Sequence, residues 1–434
     1  MNSFVRLPYA LAGHLARLAA ALAPPVGGKA VASLRARRGI RDRYAEWGAA
    51  GRDPARPLLW VHAASVGEGL QAKAVIALVC ERHPDLQLAY TFFSPSAEAF
   101  ARGLGADFSD FLPFDTSGDA DAALDALRPT ALVFSKLDVW PLLAARASAR
   151  GVPLGMISAT LADESSRISA SASLLLHDAY AALDAVGAIN ERDGWRLTEL
   201  GVRRDRVTIT GDSRYDQVWA RARATDTSSA LLAPLESGRP TVVAGSTWAA
   251  DEVVLLRAWD MLRETIPGAR LVVAPHEPRN ARLASVERWA RSRKLTVSRL
   301  SSANSSRADL VLVDRVGVLG ELYSLADVAY VGGGFHAAGL HSVIEPAAFG
   351  VPVIFGPRHH ASRDARILLE HGGGFAVATA ADLASSLSLL TQPDACRTAG
   401  DRAAQVVEAG LGAAARSAAL VESLLASPAA QALA

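Results

Sequence analysis

Along the first two dozen residues the apolar positions recur with a helical period. Leu7, Leu11, Leu15, Leu18 and Leu22 are spaced four, four, three and four apart, which keeps them on one narrow arc of an α-helix. Arg6, His14 and Arg17 fall on another side, and Pro24 and Pro25 end the pattern. From Pro57 onward the pattern changes to short apolar runs separated by amphipathic or Ala-rich stretches. Runs at 58–64, 86–93, 131–134, 153–158, 185–189 and 207–210 read as strands of a first half; those at 241–244, 270–274, 310–313, 328–331 and 351–355 read as strands of a second. Near-continuous apolar strands alternating with helices predict parallel sheets covered on both faces. A polar stretch at 225–238 separates the halves, and a helical tail is expected from about 402 to 425. The expected organisation is a basic amphipathic segment at 1–56, a Rossmann-like domain at 57–220, a linker at 221–238, and a second Rossmann-like domain at 239–434 that carries the C-terminal helix.

Length agrees with this division, since 434 residues suit two domains of roughly 100–200 residues each. With 45 Lys plus Arg against 44 Asp plus Glu, the net charge of +1 excludes a globally basic nucleic-acid binder. Cys80 and Cys396 are too few and too far apart for a disulfide framework or a CxxC metal site, so a reducing compartment is expected. The charge is unevenly placed: residues 1–56 hold ten basic and three acidic side chains, a net +7 that leaves −6 for the rest. Such an end suits an anionic surface, where each basic residue contributes about 1 kcal/mol. The N-terminal stretch is too polar for a spanning helix of about 20 apolar residues, and it lacks the small-residue cleavage site of a secretory signal. Two readings remain open: a helix lying in the membrane interface with the 35–43 arginine cluster beside it, or an amphipathic helix packed on its own domain.

Ligands of doubly wound folds sit outside the carboxyl ends of the strands, so the strand-to-helix junctions carry the candidate chemistry. The first reads His62-Ala63-Ala64-Ser65-Val66-Gly67-Glu68-Gly69. Glu68 falls in the first turn of the next helix, as a charge favourable to the helix dipole or as a general base. At the second, Lys136 and Asp138 share a face before Trp140 and Pro141 open a helix; an ordinary solvated pair is the alternative to a functional reading. The third runs from three glycines, Gly332 to Gly334, to a helix expected near Ser342. There, Ser342 and Glu345 fit a capping box, while the glycines permit close backbone approach and the helix start offers N–H groups to a phosphate. The spacing is not that of a P-loop. In the fourth, the turns Gly245-Ser246-Thr247 and Pro275-His276-Glu277-Pro278-Arg279 offer hydrogen-bond donors, which turn and capping chemistry explains equally well.

In order along the chain, HAASVGE (62–68), TFFSPSA (91–97), LPFD (112–115), KLDVW (136–140), ISA (157–159), GDSRYDQV (211–218), GST (245–247), APHEP (274–278), GVLGELYSLADVAYVGGGF (317–335) and GLHSVIEPAAFGVPVIFGP (339–357) resemble the 3-deoxy-D-manno-octulosonic acid (Kdo) transferases. The resemblance implies an α/β GT-B fold, with a C-terminal half for CMP-Kdo and an N-terminal half for the lipid A precursor. It also implies an N-terminal membrane anchor, no metal ion or other cofactor, and a location at the cytoplasmic face of a bacterial inner membrane. No nucleic-acid partner is implied, and a monomer is expected. Glu68 matches the family's catalytic carboxylate. Ser246, Thr247, His276, Gly332, Gly333, Gly334, His341, Ser342 and Glu345 match donor-site positions, and Ser65, Gly67, Lys136, Asp138 and Arg214 match substrate-binding ones. Departures touch the contacts more than the fold. Lys136 and Asp138 stand for two Glu of an ETE[LI]WP stretch, PHEP stands for PRHPE, GLHS for GGHN, and SAT for NAR unless Arg167 substitutes. Another GT-B enzyme using a UDP-sugar, or a non-catalytic sugar-nucleotide-binding protein of the same fold, would share this architecture.

Overall fold

The apolar runs form strands because only a sheet covered on both faces can bury five or six consecutive apolar residues. The computed structural model describes residues 3–431 apart from 25, 162–164, 166, 168, 267, 303 and 304, and it leaves out the side chains of 3–7, 29, 170, 171, 264 and 431. The expectations placed on the side chains of Arg6, Leu7 and Lys29 therefore lie outside the described residues. The chain forms two compact units, Met1–Gln217 with Leu411–Ala434, and Val218–Gly410.

The first unit holds a parallel sheet of β1 (Leu58–His62), β2 (Gln87–Phe92), β3 (Phe108–Phe111), β4 (Ala131–Ser135), β5 (Leu154–Ala159), β6 (Ala185–Ala188) and β7 (Val207–Ile209), in the order β3-β2-β1-β4-β5-β6-β7. In the second, β8 (Thr241–Thr247), β9 (Arg270–Pro275), β10 (Val297–Arg299), β11 (Leu310–Leu312), β12 (Val328–Val331), β13 (Val353–Phe355) and β14 (Gly374–Ala376) form another parallel sheet, in the order β10-β11-β9-β8-β12-β13-β14. Each sheet is wound outward from its first strand in both directions. The order reverses between β1 and β4 in one and between β8 and β12 in the other, and such a reversal opens a crevice at the carboxyl ends of the two strands involved.

All the predicted strands are present. Three others, β3, β10 and β14, were not predicted, and each is an outermost strand of three or four residues. An outermost strand has one neighbour and needs no long apolar run, so its pattern is weak. The predicted tail is two helices, Pro393–Ala409 and Ala413–Leu425, broken where Gly412 takes a left-handed φ of 85°. The domain division also differs from expectation: the last helix belongs to the first unit rather than ending the second, and residues 1–56 are part of that unit rather than a separate segment.

The basic cluster is largely turned to structural use. Arg37 is buried and donates to the carbonyls of Leu112, Ser33 and Phe93, with its guanidinium 4.3 Å from the Phe93 ring. Burial pushes its pKa down to about 10. Arg41 pairs with buried Asp119, Arg43 pairs with Asp110, and Arg52 binds the Leu127 carbonyl and the Gln87 side chain. Arg38 caps the carbonyls of Ala20 and Ala23 at the end of the N-terminal helix, Ser3–Leu22. That helix is held from the other side by the Tyr9 hydroxyl, 2.7 Å from Asp115, and Asp115 in turn accepts the N–H groups of Leu142 and Leu143. Leu11, Leu15, Leu18 and Leu22 nevertheless remain 60%, 57%, 58% and 75% exposed. Among the described residues no helix is long and apolar enough to cross a membrane.

Leu424 of the helix Ala413–Leu425 is buried over Gly155 of β5, where a Cβ would collide with it. Leu424→Ala is expected to lower stability by about 2–5 kcal/mol, read as a shift of the urea-unfolding midpoint. A shift below about 1 kcal/mol would place the helix outside the working core.

Candidate functional site

In the first unit the β1 and β4 ends meet at the reversal. The chain leaves β1 through Ala63 and Ala64 into the helix Val66–Arg82, whose N-cap is Ser65. Glu68 closes a capping box, its Oε2 accepting from the Ser65 N–H at 3.0 Å and the Ser65 hydroxyl at 3.1 Å. The carboxylate is thus oriented by its own helix, and Oε1 has no hydrogen-bond partner among the described residues. Gly67 is exposed beside it, with open space where a Cβ would stand. The Ser135 hydroxyl at the end of β4 donates to the Glu68 carbonyl and ties the two crests together.

The second junction differs from its expected form. Its strand ends at Ser135, and Lys136 already lies in the turn, with φ 65° and its N–H on the Ile157 carbonyl. Asp138 pairs with fully buried His62 at 3.1 Å, with the Trp140 indole N–H at 3.2 Å and with Arg167 at 3.6 Å, rather than with Lys136. Burial alone would raise the Asp138 carboxyl; His62, Trp140 and Arg167 outweigh it and hold it below the usual carboxylate range. Arg167 is thus the basic side chain beside Asp138. Arg214 is held by buried Asp212 through several short bonds. Ser158 at the end of β5 takes φ 53°, its hydroxyl 3.0 Å from that of Ser213. Non-glycine residues in this region cost about 1–3 kcal/mol; Lys136 takes it just after β4, Ser158 near the end of β5 and Ser246 (φ 53°) at the β8 bulge.

In the second unit, β8 bulges at Ser246, between the pairs Gly245–Ala274 and Thr247–Pro275. The next helix, Ala249–Thr265, has Trp248 at its N-cap and Asp251 in its first turn. Asp251 is fully buried. Its Oδ2 accepts the N–H groups of Trp248 at 2.8 Å and Gly333 at 2.9 Å, and its Oδ1 accepts the Tyr330 hydroxyl at 3.1 Å and the Phe335 N–H at 3.2 Å. One carboxylate thereby fastens the glycine turn after β12 to the helix after β8. The glycines serve this packing: a Cβ on Gly332 would strike the Ser246 backbone, and one on Gly333 (φ 94°) would strike the Gly339 carbonyl. The N–H of Gly333 is engaged by Asp251, so close approach here is first of backbone to backbone.

Four aromatic rings cover this turn. The Trp248 indole lies parallel to the His336 imidazole with centroids 4.1 Å apart, and His276 stacks on Trp248 at 4.7 Å and on His341 at 4.6 Å. His341 is tied by its N–H to the Gly332 carbonyl, and its Nε2 lies 3.0 Å from Trp248 Nε1. Burial, and then the neighbouring His276, lower its pKa. The Thr247 hydroxyl donates to Glu252, which also holds Arg282. The helix expected at Ser342 is a single turn, Ile344–Ala347, followed by the left-handed Gly350. It is too short to act as a phosphate-binding N-terminus, and Ser342 touches Glu345 instead. Burial raises the Glu345 carboxyl, against Arg221 and Ser342. Arg279 pairs with Glu277 on the surface. Among the described residues no three His, Cys, Asp or Glu side chains gather as a metal-ligand set.

Asp251, Trp248, His336 and His62 stand among the candidate residues at these turns, although the sequence pattern gave none of them a role. The only available signal was weak: an Asp three residues after a helix cap, and a Trp and a His inside otherwise small-residue turns.

Two parallel α/β units, each with polar turns at the reversal of its strand order, define the GT-B class. The structure of UDP-GlcNAc 2-epimerase from Neisseria meningitidis bound to UDP-GlcNAc shares this fold, with a TM-score of 0.61 at 14% identity over 85% of this chain and 99% of that one. A glycosyltransferase from Rickettsia africae shares it with a TM-score of 0.56 at 11% identity, over 86% and 99%. Residues 34–217 match the family model described as 3-deoxy-D-manno-octulosonic-acid transferase (kdotransferase). The 3-deoxy-D-manno-octulosonic acid transferase of Bordetella pertussis is 31% identical over 376 residues, 84% of this chain and 83% of that protein, and the Haemophilus influenzae enzyme is 26% identical over 344. The chain belongs to the Kdo transferase family of glycosyltransferases, which act in lipopolysaccharide biosynthesis.

Asp251→Ala would leave four donors without their acceptor, at about 1–3 kcal/mol for each that finds no water. A loss of about 2–5 kcal/mol is expected in urea unfolding; a loss below about 1 kcal/mol would show that the turn holds without this carboxylate.

Proposed function

We propose that this enzyme moves Kdo from CMP-Kdo to a hydroxyl of the lipid A precursor, with inversion, at the cytoplasmic face of a bacterial inner membrane. The observation that carries the reading is Glu68: it stands at the β1–β4 reversal with Oε2 fixed by Ser65 and Oε1 unengaged. Oε1 takes the proton of the acceptor hydroxyl as its oxygen attacks the anomeric carbon of Kdo. The bond from that carbon to the CMP phosphate oxygen breaks, and CMP leaves with the electron pair. Gly67 leaves room above the carboxylate, and Lys136 and Arg167 offer positive charge to the acceptor's phosphates. On the donor side Ser246, Thr247, His276, the turn Gly332–Gly334, His341, Ser342 and Glu345 surround the sugar nucleotide. Ser65 and Arg214 act through what they hold, Glu68 and Asp212.

Glu68→Gln keeps the shape and removes the base, so kcat with CMP-Kdo and tetraacylated lipid A precursor should fall by about 10²- to 10⁴-fold, followed as CMP release. Full activity in that variant would end the base assignment. Turnover with a UDP-sugar and none with CMP-Kdo would end the donor assignment and favour the UDP-sugar reading.

The exposed leucine arc supports membrane association, because burial of those side chains against the unit itself would have hidden them. Leu174 of the neighbouring helix Ala170–Ala181 adds to it at 56% exposure. Replacing Leu11, Leu15 and Leu18 together by Glu should abolish co-sedimentation with anionic lipid vesicles while leaving the unfolding curve in place. Unchanged co-sedimentation would refute the role of this arc.

A further inference from the structure

The hydrogen bond between Trp248 and His341 has only one possible direction. An indole nitrogen is a donor and never an acceptor, so at 3.0 Å from Trp248 Nε1 the His341 Nε2 must offer its lone pair. A nitrogen that accepts in the ring plane carries no proton, and the single proton of the neutral imidazole is then on Nδ1.

We infer that Trp248 is a positioning residue of the sugar-nucleotide site, fixing His341 as the neutral Nδ1–H tautomer so that it meets the donor with one oriented N–H and no positive charge. The inference rests on the donor reading proposed above and names how one of its residues works. Three independent features of the same unit lock the arrangement. The indole plane is set by its rings on either neighbour, His336 at 4.1 Å with 1° between planes and His276 at 4.7 Å with 24°. The Trp248 backbone is fixed by Asp251, the same carboxylate that fixes Gly333. The His341 backbone is fixed to Gly332, and its Cδ2 lies over Gly333, 3.2 Å from where a Cβ would stand. Protonating His341 would require breaking the Trp248 bond in a half-buried place beside two further imidazoles, His276 and His336; Asp251 is the one nearby group that favours the charge, and burial with the imidazoles outweighs it. An oxygen of the donor, on its phosphate or on its sugar acid, is the acceptor that this N–H suits. A neutral donor also discriminates, since it gives no charge bonus to unrelated anions.

Trp248→Phe tests this, because it keeps an aromatic ring to stack and removes the N–H. In full-length protein with ¹⁵N-labelled histidine, and with His341→Gln to assign the signal, the wild type should show a protonated Nδ1 and an unprotonated Nε2 for His341 at neutral pH. In Trp248→Phe the signals should move toward a mixture of both tautomers, and KM for CMP-Kdo should rise about fivefold to tenfold, the worth of one hydrogen bond, with kcat changed less. A protonated Nε2 in the wild type, or the same tautomer in Trp248→Phe, would overturn the inference; so would a shifted tautomer with unchanged KM. The wild-type spectrum decides the tautomer even if the variant folds poorly. Failure of the wild type to use CMP-Kdo would strike the donor reading, while the nitrogen signals would still decide whether Trp248 sets the tautomer.

Discussion

A parallel sheet that is wound outward from its first strand in both directions sends the connections after two neighbouring strands to opposite faces. The carboxyl ends of those two strands are then left uncovered by either connection, and several of the candidate residues stand there. In the first unit the uncovered pair is β1 and β4, followed by Ser65-Val66-Gly67-Glu68 and by Lys136-Leu137-Asp138. In the second it is β8 and β12, followed by Ser246-Thr247-Trp248 and by Gly332–Gly334. The rest of each fold, from the buried aliphatic strands to the covering helices, keeps these turns at fixed spacing.

The turns are rigid because their polar groups first serve one another. Asp251 takes four hydrogen bonds from two different crests, and the Glu68 carboxylate is pinned by its own N-cap. Asp138 is shared by His62, Trp140 and Arg167. A carboxylate buried without such partners would be strongly disfavoured, so these networks are a condition of placing charge at the crest. Preorganisation follows from the same bonds: a group already held cannot reorient at the moment of reaction. Left-handed backbone at Lys136, Ser158 and Ser246 adds strain that the surrounding structure over-determines.

The N-terminal segment shows how one charge pattern divides between two tasks. Its arginines looked like a cationic surface, yet Arg37, Arg41, Arg43 and Arg52 are spent on carbonyls and carboxylates of the first unit. An arginine can satisfy several acceptors at once through its planar fork, and carbonyls at helix and strand ends are such acceptors. The leucine arc is the part that remains outward. Net charge by sequence interval thus overstated how much positive charge the segment leaves unpaired.

Periodicity by itself determined the central strands, since a run such as Leu58 to His62 or Val328 to Val331 has no other way to be buried on all sides. Ordered motifs likewise marked Glu68, the glycine turn and His341 as candidates. What the tertiary structure alone decided is pairing. Strands β3, β10 and β14 carry too few apolar residues to announce themselves and exist because a sheet edge was free to receive them. The last helix lies near the second unit in sequence but belongs to the first, because Val421 and Leu424 find their burial there. Asp138 could have met Lys136 two residues away and instead meets His62, 76 residues distant. Asp251, Trp248 and His336 came together only when the fold brought two turns more than 80 residues apart onto one carboxylate. A local pattern fixes which face a side chain takes; which partner waits at that face depends on how the strands are ordered.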